Sequence, residues 1–208
     1  MEHRSFWARR LHSLSGVVPI GAFLVEHMFT NSFSTQGPAA YNGAVIMLQS
    51  IPYLEWLEVF GIFLPILFHA VYGVYIARQA RYNVTTYPYL RNWTFMLQRV
   101  SGFVLFFYIA IHVWETRVQV IFDESLKGRF FEHMQAILSN PIWLALYIVG
   151  VVSAAFHFAN GLFTFGIVWG ITVGRNAQRL ASWACAGIFV IVAGMGINSL
   201  FGFLAHAG

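Results

Sequence analysis

PIWLALYIVGVVSAAFHFANGLFTFGIVWG, Pro141–Gly170, is an apolar run with no string of charges in it and one histidine, His157, well inside. A helix rises about 1.5 Å per residue, so roughly 20 such residues cross the hydrocarbon core of a bilayer. Pro141 stands at the start of the run, where a first-turn proline does not harm a helix. Four more runs of this kind lie at about residues 11–33, 56–78, 95–121 and 180–206. The joints between them are Thr35–Pro38, Thr85–Asn92, the charged segment Asp123–Glu132 and the turn Gly174–Gln178. Phe130–Leu138 (FFEHMQAIL) reads as a short interfacial helix. The expected fold is all-α, a polytopic membrane bundle of five transmembrane helices forming one domain over residues 1–208.

Composition agrees. Of 208 residues, 58% are hydrophobic and only 10% charged, against about 25% charged in a soluble domain. Mean hydropathy is +0.64, so there is too little polar surface to cover a water-facing sphere. Cys185 is the sole cysteine, which excludes a disulfide scaffold, cysteine-ligated zinc, Fe–S clusters and covalent c-type haem. The first run is too long for the apolar core of a signal peptide and lacks a clear A-x-A exit, so it is expected to be retained.

Basic residues set the orientation. With the N-terminus cytoplasmic, that side holds Arg4, Arg9, Arg10, Arg78, Arg81, Arg91, Arg99, Arg175 and Arg179, and the other holds Arg117, Lys127 and Arg129. Acids run the opposite way. Glu2 alone lies inside, whereas Glu26, Glu55, Glu58, Glu115, Asp123, Glu124 and Glu132 lie towards the outside. The expectation is therefore N-in, C-out, and the formal charge of +4 is a topology signal that implies no nucleic-acid partner.

Ionisable side chains inside a span are rare and usually functional. Four spans carry a histidine at depth: His27, His69, His112 and His157. Counting helix rise from the cytoplasmic boundary puts His27 and His112 about 25 Å in, and His69 and His157 about 14–16 Å in. Two levels, each served by two different helices, suit two haems with one imidazole on each face of the iron. Gly73 and Gly161 follow His69 and His157 by one turn, and Gly16 follows His12 likewise, leaving room for a flat macrocycle. His12 lies only about 3 Å inside the boundary and is a candidate for contact with a haem propionate or a quinone. His3, His133 and His206 carry no case beyond surface chemistry.

The strings RRLHSLSG (Arg9–Gly16), FHAVYGVYIA (Phe68–Ala77), RNWTFMLQRVSG (Arg91–Gly102), HVWETR (His112–Arg117), FHFANGL (Phe156–Leu162) and WGITV (Trp169–Val173) occur in this order. Together they resemble the membrane-anchor cytochrome b subunits of succinate dehydrogenases and fumarate reductases, in the five-helix, two-haem, single-polypeptide branch that works with menaquinone. The resemblance covers essentially the whole chain. It implies two haem b groups, with His69 and His157 as inner ligands and His27 and His112 as outer ligands. It also implies a flavoprotein and an iron–sulfur partner on the cytoplasmic side, electron relay to menaquinone near the outer face, and a place in the respiratory chain and citric acid cycle. The implied location is the bacterial cytoplasmic membrane. Succinate chemistry itself belongs to the partners, so this subunit transfers electrons and does not catalyse alone.

Other residues are candidates for the same functions. Arg9, Arg10 and Arg99 crowd the inner boundary, where a planar guanidinium suits a propionate and where positive-inside anchoring is the plainer use. Glu26, Asn31, Glu58 and Glu115 lie near the outer boundary as candidate quinone contacts. Glu115 is expected near the face of His112 and Glu26 off the face of His27. The alternative for Glu115 is a plain helix-end acid paired, for instance, with Arg117. Some fumarate-reducing relatives have a glutamate two residues before the inner ligand on the fourth helix. Ala155 stands there here, which favours succinate oxidation. The rival readings are a dihaem cytochrome b of another membrane dehydrogenase, a fumarate reductase working in reverse, or a metal transporter. The fifth span offers no ligand, and Gly187, Gly194 and Gly196 suggest close packing there.

Overall fold

A computed structural model describes residues 2–206, with side chains from Ser5 to His206. The side chains of Glu2, His3 and Arg4 lie outside the described set. Five helices are long and apolar enough to cross a membrane: α1 (Ser5–Gln36), α3 (Leu54–Arg78), α4 (Leu90–Phe122), α6 (Pro141–Val168) and α7 (Arg175–Ala205). Two shorter helices, α2 (Pro38–Gln49) and α5 (Phe130–Leu138), lie between them at one end. We call this the acidic end and the opposite one the basic end.

Local chemistry explains the joints. Pro19 lacks the N–H that would continue the ladder, and α1 is interrupted at Val18 before it resumes. Gly37 then takes φ 95°, a left-handed conformation that a side chain would disfavour, and turns the chain into α2. The helix α2 forms where the sequence offers only a joint at Thr35–Pro38. In α3, Pro65 sits just beyond a π-turn over Glu58–Phe63, which absorbs the carbonyl its ring would meet. A second π-turn, Trp114–Val118, lies near the acidic end of α4. Arg117 of that turn donates to Glu58 Oε2 from both Nη2 (2.8 Å) and Nε (3.2 Å), pinning the two π-turns together. Asn140 caps α6 by accepting from the Ile142 N–H at 2.9 Å.

α6 is the central element, packed on α7, α4 and α1, whereas α3 contributes no buried residue and rests mainly on α1. The best-buried core lies under α5 at the acidic end, where Tyr41, Phe131, Leu138, Tyr147, Leu200 and Phe203 meet. Asn42 of α2 ties α5 down, accepting from the buried Phe131 N–H at 2.9 Å and donating to Glu132 at 3.1 Å. A second cluster, Met28, Ala155, Val192 and Ala193, joins α1, α6 and α7. The expected tight packing of α7 holds at Gly196, where a Cβ would lie 2.5 Å from Val151. At Gly187 and Gly194 it does not, because both face open space. Gly202, not singled out from sequence, is the other close contact, with Ser34 Oγ 2.6 Å from where its Cβ would stand. Phe60, Leu67, Val71, Phe103, Phe107, Trp183 and Val190 remain exposed on the bundle. That is the surface a bilayer covers, since lipid tails are as apolar as these side chains.

Candidate functional site

Helix rise fixes the height of each intramembrane histidine, and the crossing of four spans brings them together in twos. His27 of α1 and His112 of α4 meet with ring centres 5.7 Å apart at 76°. His69 of α3 and His157 of α6 meet at 6.1 Å and 79°. An imidazole nitrogen binds a metal at about 2.0–2.1 Å, so two rings on opposite sides of one ion have centres roughly 6 Å apart. The centre-to-centre spacing of each pair matches that value. Among the described residues no three His, Cys, Asp or Glu side chains converge as a bare-ion site would require.

The two tiers are built differently. In the acidic-end tier, His112 stacks on Tyr108 at 5.7 Å and 17°. Its Nδ1 lies 3.4 Å from the Tyr147 hydroxyl. Tyr108 fits only because α6 has Gly150 beside it, where a Cβ would overlap the tyrosine ring. A cavity of about 100 Å³ is lined by both His27 and His112, with Asn31, Tyr41, Tyr108 and Tyr147 on its walls. Asn31 donates to the His27 carbonyl at 2.7 Å and accepts from Tyr41 at 3.4 Å. Burial pushes the Tyr41 phenol above its ordinary range.

In the basic-end tier, His69 Nδ1 donates to the His12 carbonyl at 3.0 Å and lies 3.3 Å from Ser15 Oγ. His157 Nδ1 lies 3.1 Å from Ser101 Oγ. Gln98 donates to the His157 carbonyl at 3.0 Å and accepts from Asn160 at 2.7 Å, locking α4 to α6. The His12 ring stacks on His69 at 4.0 Å and 11°. Gly16 opens onto His69, while Gly73 opens onto His12 and Gly161 onto Gln98.

Buried polar atoms without partners gather towards the basic end. Among the described residues they are Arg10 Nε, Arg99 Nε, His12 Nε2, Trp169 Nε1 and Thr172 Oγ1. Arg10 is held between Phe6 (4.7 Å) and Trp169 (5.0 Å) and donates to the Val168 carbonyl at 3.3 Å. Arg99 lies on Phe95, 3.3 Å from the ring centre. Arg9 faces outward and donates to Gln79 at 2.6 Å. Buried donors are nearly always satisfied in folded proteins, so this group invites an anion. The propionates of a haem have that charge, and the paired imidazoles beside them suit its iron.

The candidate quinone residues are not brought to one place. Asn31 borders the cavity with His27 and His112. Glu26 lines a different cleft, between α1 and α7, and accepts from Thr30 at 2.6 Å. Glu58 is committed to Arg117. Glu115 accepts from Gln119 at 2.8 Å, so the suggested Glu115–Arg117 pairing is not the one that forms. His133 and His206 do more than face solvent. His133 donates to the Glu115 carbonyl at 2.7 Å and His206 to that of Thr35 at 3.2 Å, each joining two elements. Ser101, Gly102, Tyr108 and Tyr147 escaped sequence reading because apolar and small residues on a span carry no signal of the face they occupy.

Residues 77–194 match the family described as succinate dehydrogenase/fumarate reductase transmembrane subunit. Over 202 residues, the chain is 45% identical to the succinate dehydrogenase cytochrome b558 subunit of Bacillus subtilis, covering 97% of this chain and 98% of that protein. Over 94 residues it is 30% identical to the succinate dehydrogenase hydrophobic membrane anchor subunit of Thermoplasma acidophilum, covering 45% of this chain and 72% of that one.

Proposed function

This chain belongs to the succinate dehydrogenase/fumarate reductase transmembrane subunit family, and from that premise we propose that it is the cytochrome b anchor of a succinate:menaquinone oxidoreductase. It sits in the bacterial cytoplasmic membrane with its basic end inward, where flavoprotein and iron–sulfur partners dock. The observation that carries this reading is the pairing of four intramembrane histidines, at 5.7 and 6.1 Å, on four different helices. Haem b in each tier would supply a one-electron carrier between the iron–sulfur partner and menaquinone. His69 and His157 would hold the inner group, and His27 and His112 the outer one.

The chain's own residues then have distinct tasks. The His12 carbonyl keeps a proton on His69 Nδ1, which leaves Nε2 free to ligate. Arg10, Arg99 and the His12 ring supply buried donors suited to propionates. Asn31, its oxygen held by Tyr41 and one amide hydrogen by the His27 carbonyl, keeps a second amide hydrogen beside the acidic-end histidines, which a quinone carbonyl could accept. Ala155 is fully buried against α7 and carries no carboxyl for a proton path beside the inner tier, which favours succinate oxidation over fumarate reduction.

The test is cofactor stoichiometry. The complex purified in detergent should contain this chain, a flavin-bearing subunit and an iron–sulfur subunit, with two extractable b haems per chain. A complex with one haem or none defeats the reading, and co-purification with a hydrogenase or formate dehydrogenase would assign the cytochrome to another enzyme.

A further inference from the structure

The two basic-end histidines are received in the same way by two different helices, and the sequence repeats the device. Helix α1 carries His12-Ser-Leu-Ser15-Gly16, and α4 carries Gln98-Arg-Val-Ser101-Gly102. Ser15 Oγ donates its only hydrogen to the carbonyl three residues back, His12, at 2.9 Å, and Ser101 does the same to Gln98 at 3.2 Å. Each hydroxyl oxygen is thereby left with lone pairs alone to present to the neighbouring imidazole. Its partner nitrogen is Nδ1 in both cases, 3.3 Å away for His69 and 3.1 Å for His157. With the hydroxyl hydrogen on the carbonyl, Nδ1 is the protonated nitrogen and Nε2 is the one left to ligate.

The glycine that follows each serine completes the seat. A Cβ on Gly16 would lie 2.6 Å from His69 Cε1, and one on Gly102 would lie 3.0 Å from His157 Cε1. Real Cβ atoms essentially never come as close as the first distance and rarely as close as the second, so the Nδ1–Cε1 edge of His69 rests where only glycine permits and that of His157 where glycine leaves the room. The acidic-end tier has no such step. There His112 Nδ1 faces the Tyr147 hydroxyl at 3.4 Å.

We propose that Ser15-Gly16 and Ser101-Gly102 are a duplicated receptor for the basic-end ligands, in which each serine is a positioning residue that fixes the ring tautomer and each glycine fixes its approach. This rests on the haem-ligand reading above. Hydrogen-bond acceptors at Nδ1 raise the basicity of a ligating imidazole and stabilise the oxidised metal. His157 depends on Ser101 alone at Nδ1, whereas His69 has the His12 carbonyl as well. The two serines are therefore unequal.

The experiment is a potentiometric titration of the purified complex, with the acidic-end component of each sample as internal reference. Ser101→Ala should shift the reduction equilibrium of the basic-end component about tenfold towards the reduced form, about 59 mV for a one-electron couple. Ser15→Ala should shift it less. Ser101→Thr, which keeps the hydroxyl, should restore the wild-type value, and Gly16→Ala, at the tighter of the two contacts, should lose the basic-end component selectively. Should Ser101→Ala not assemble, Ser101→Cys carries the test, since a thiol is a weak acceptor. An unmoved basic-end potential in Ser101→Ala, or in Ser101→Cys where that replaces it, with both components present, overturns the receptor. Survival of both components in His69→Ala overturns instead the ligand assignment on which it rests.

Discussion

At the scale of single residues, the acidic-end tier depends on an absence. Gly150 gives Tyr108 the space to stack on His112, while Tyr147, also on α6, crosses both rings edge-on. A methyl at Gly150 must displace a large side chain in a packed interior, and such overpacking typically costs about 1–3 kcal/mol. Gly150→Ala should therefore lower the thermal midpoint of the purified complex and, on the proposed ligand assignment, alter the acidic-end optical component before the basic-end one. Gly194→Ala meets open space and should leave both unchanged. The histidines were legible in sequence because burying an ionisable group in lipid is costly and because helix rise converts residue number into depth. Their neighbours were not. Ser101, Gly102 and Tyr147 matter through the rotation of one helix about its axis against another, and a near-uniformly apolar span carries little trace of that angle.

At the scale of elements, the acidic end is closed by polar ties between short segments. Asn42 of α2 satisfies the first turn of α5, and His133 of α5 reaches back to the Glu115 carbonyl on α4. Asn42→Ala would leave the buried Phe131 N–H unpaired, at a cost of about 1–3 kcal/mol. Amide exchange over Phe131–Met134 should accelerate, while α6 and α7 exchange at their wild-type rates. The pair joining Arg117 to Glu58 is partly exposed, with side-chain accessibilities of 37% and 20%. Glu58→Gln should accordingly cost only about 0–1 kcal/mol, read as a shift of at most a few degrees in thermal midpoint. The short interfacial helix expected at Phe130–Leu138 is α5, with the same bounds. Helix α2 was not legible, because its start at Gly37-Pro38 serves equally well as a turn. The π-turns were not legible either, because they answer to Pro65 and to a cross-helix ion pair that composition cannot show.

At the scale of the whole molecule, the two tiers lie at different depths in a bundle that is basic at one end and acidic at the other. Electrons entering at the basic end and leaving to menaquinone at the acidic end would carry charge across the membrane, at about 2.3 kcal/mol per charge per 100 mV for full traversal. Succinate-to-menaquinone electron flow in energised membranes should fall when a protonophore is added. Unchanged flow would remove the coupling. The arrangement of ligands is tested most directly by the redox spectra of four single variants in the purified complex. His27→Ala and His112→Ala should each lose the same b-type component, and His69→Ala and His157→Ala should each lose the other. If His27→Ala and His112→Ala removed different components, or if any one of the four variants kept both, the two-tier pairing would be contradicted.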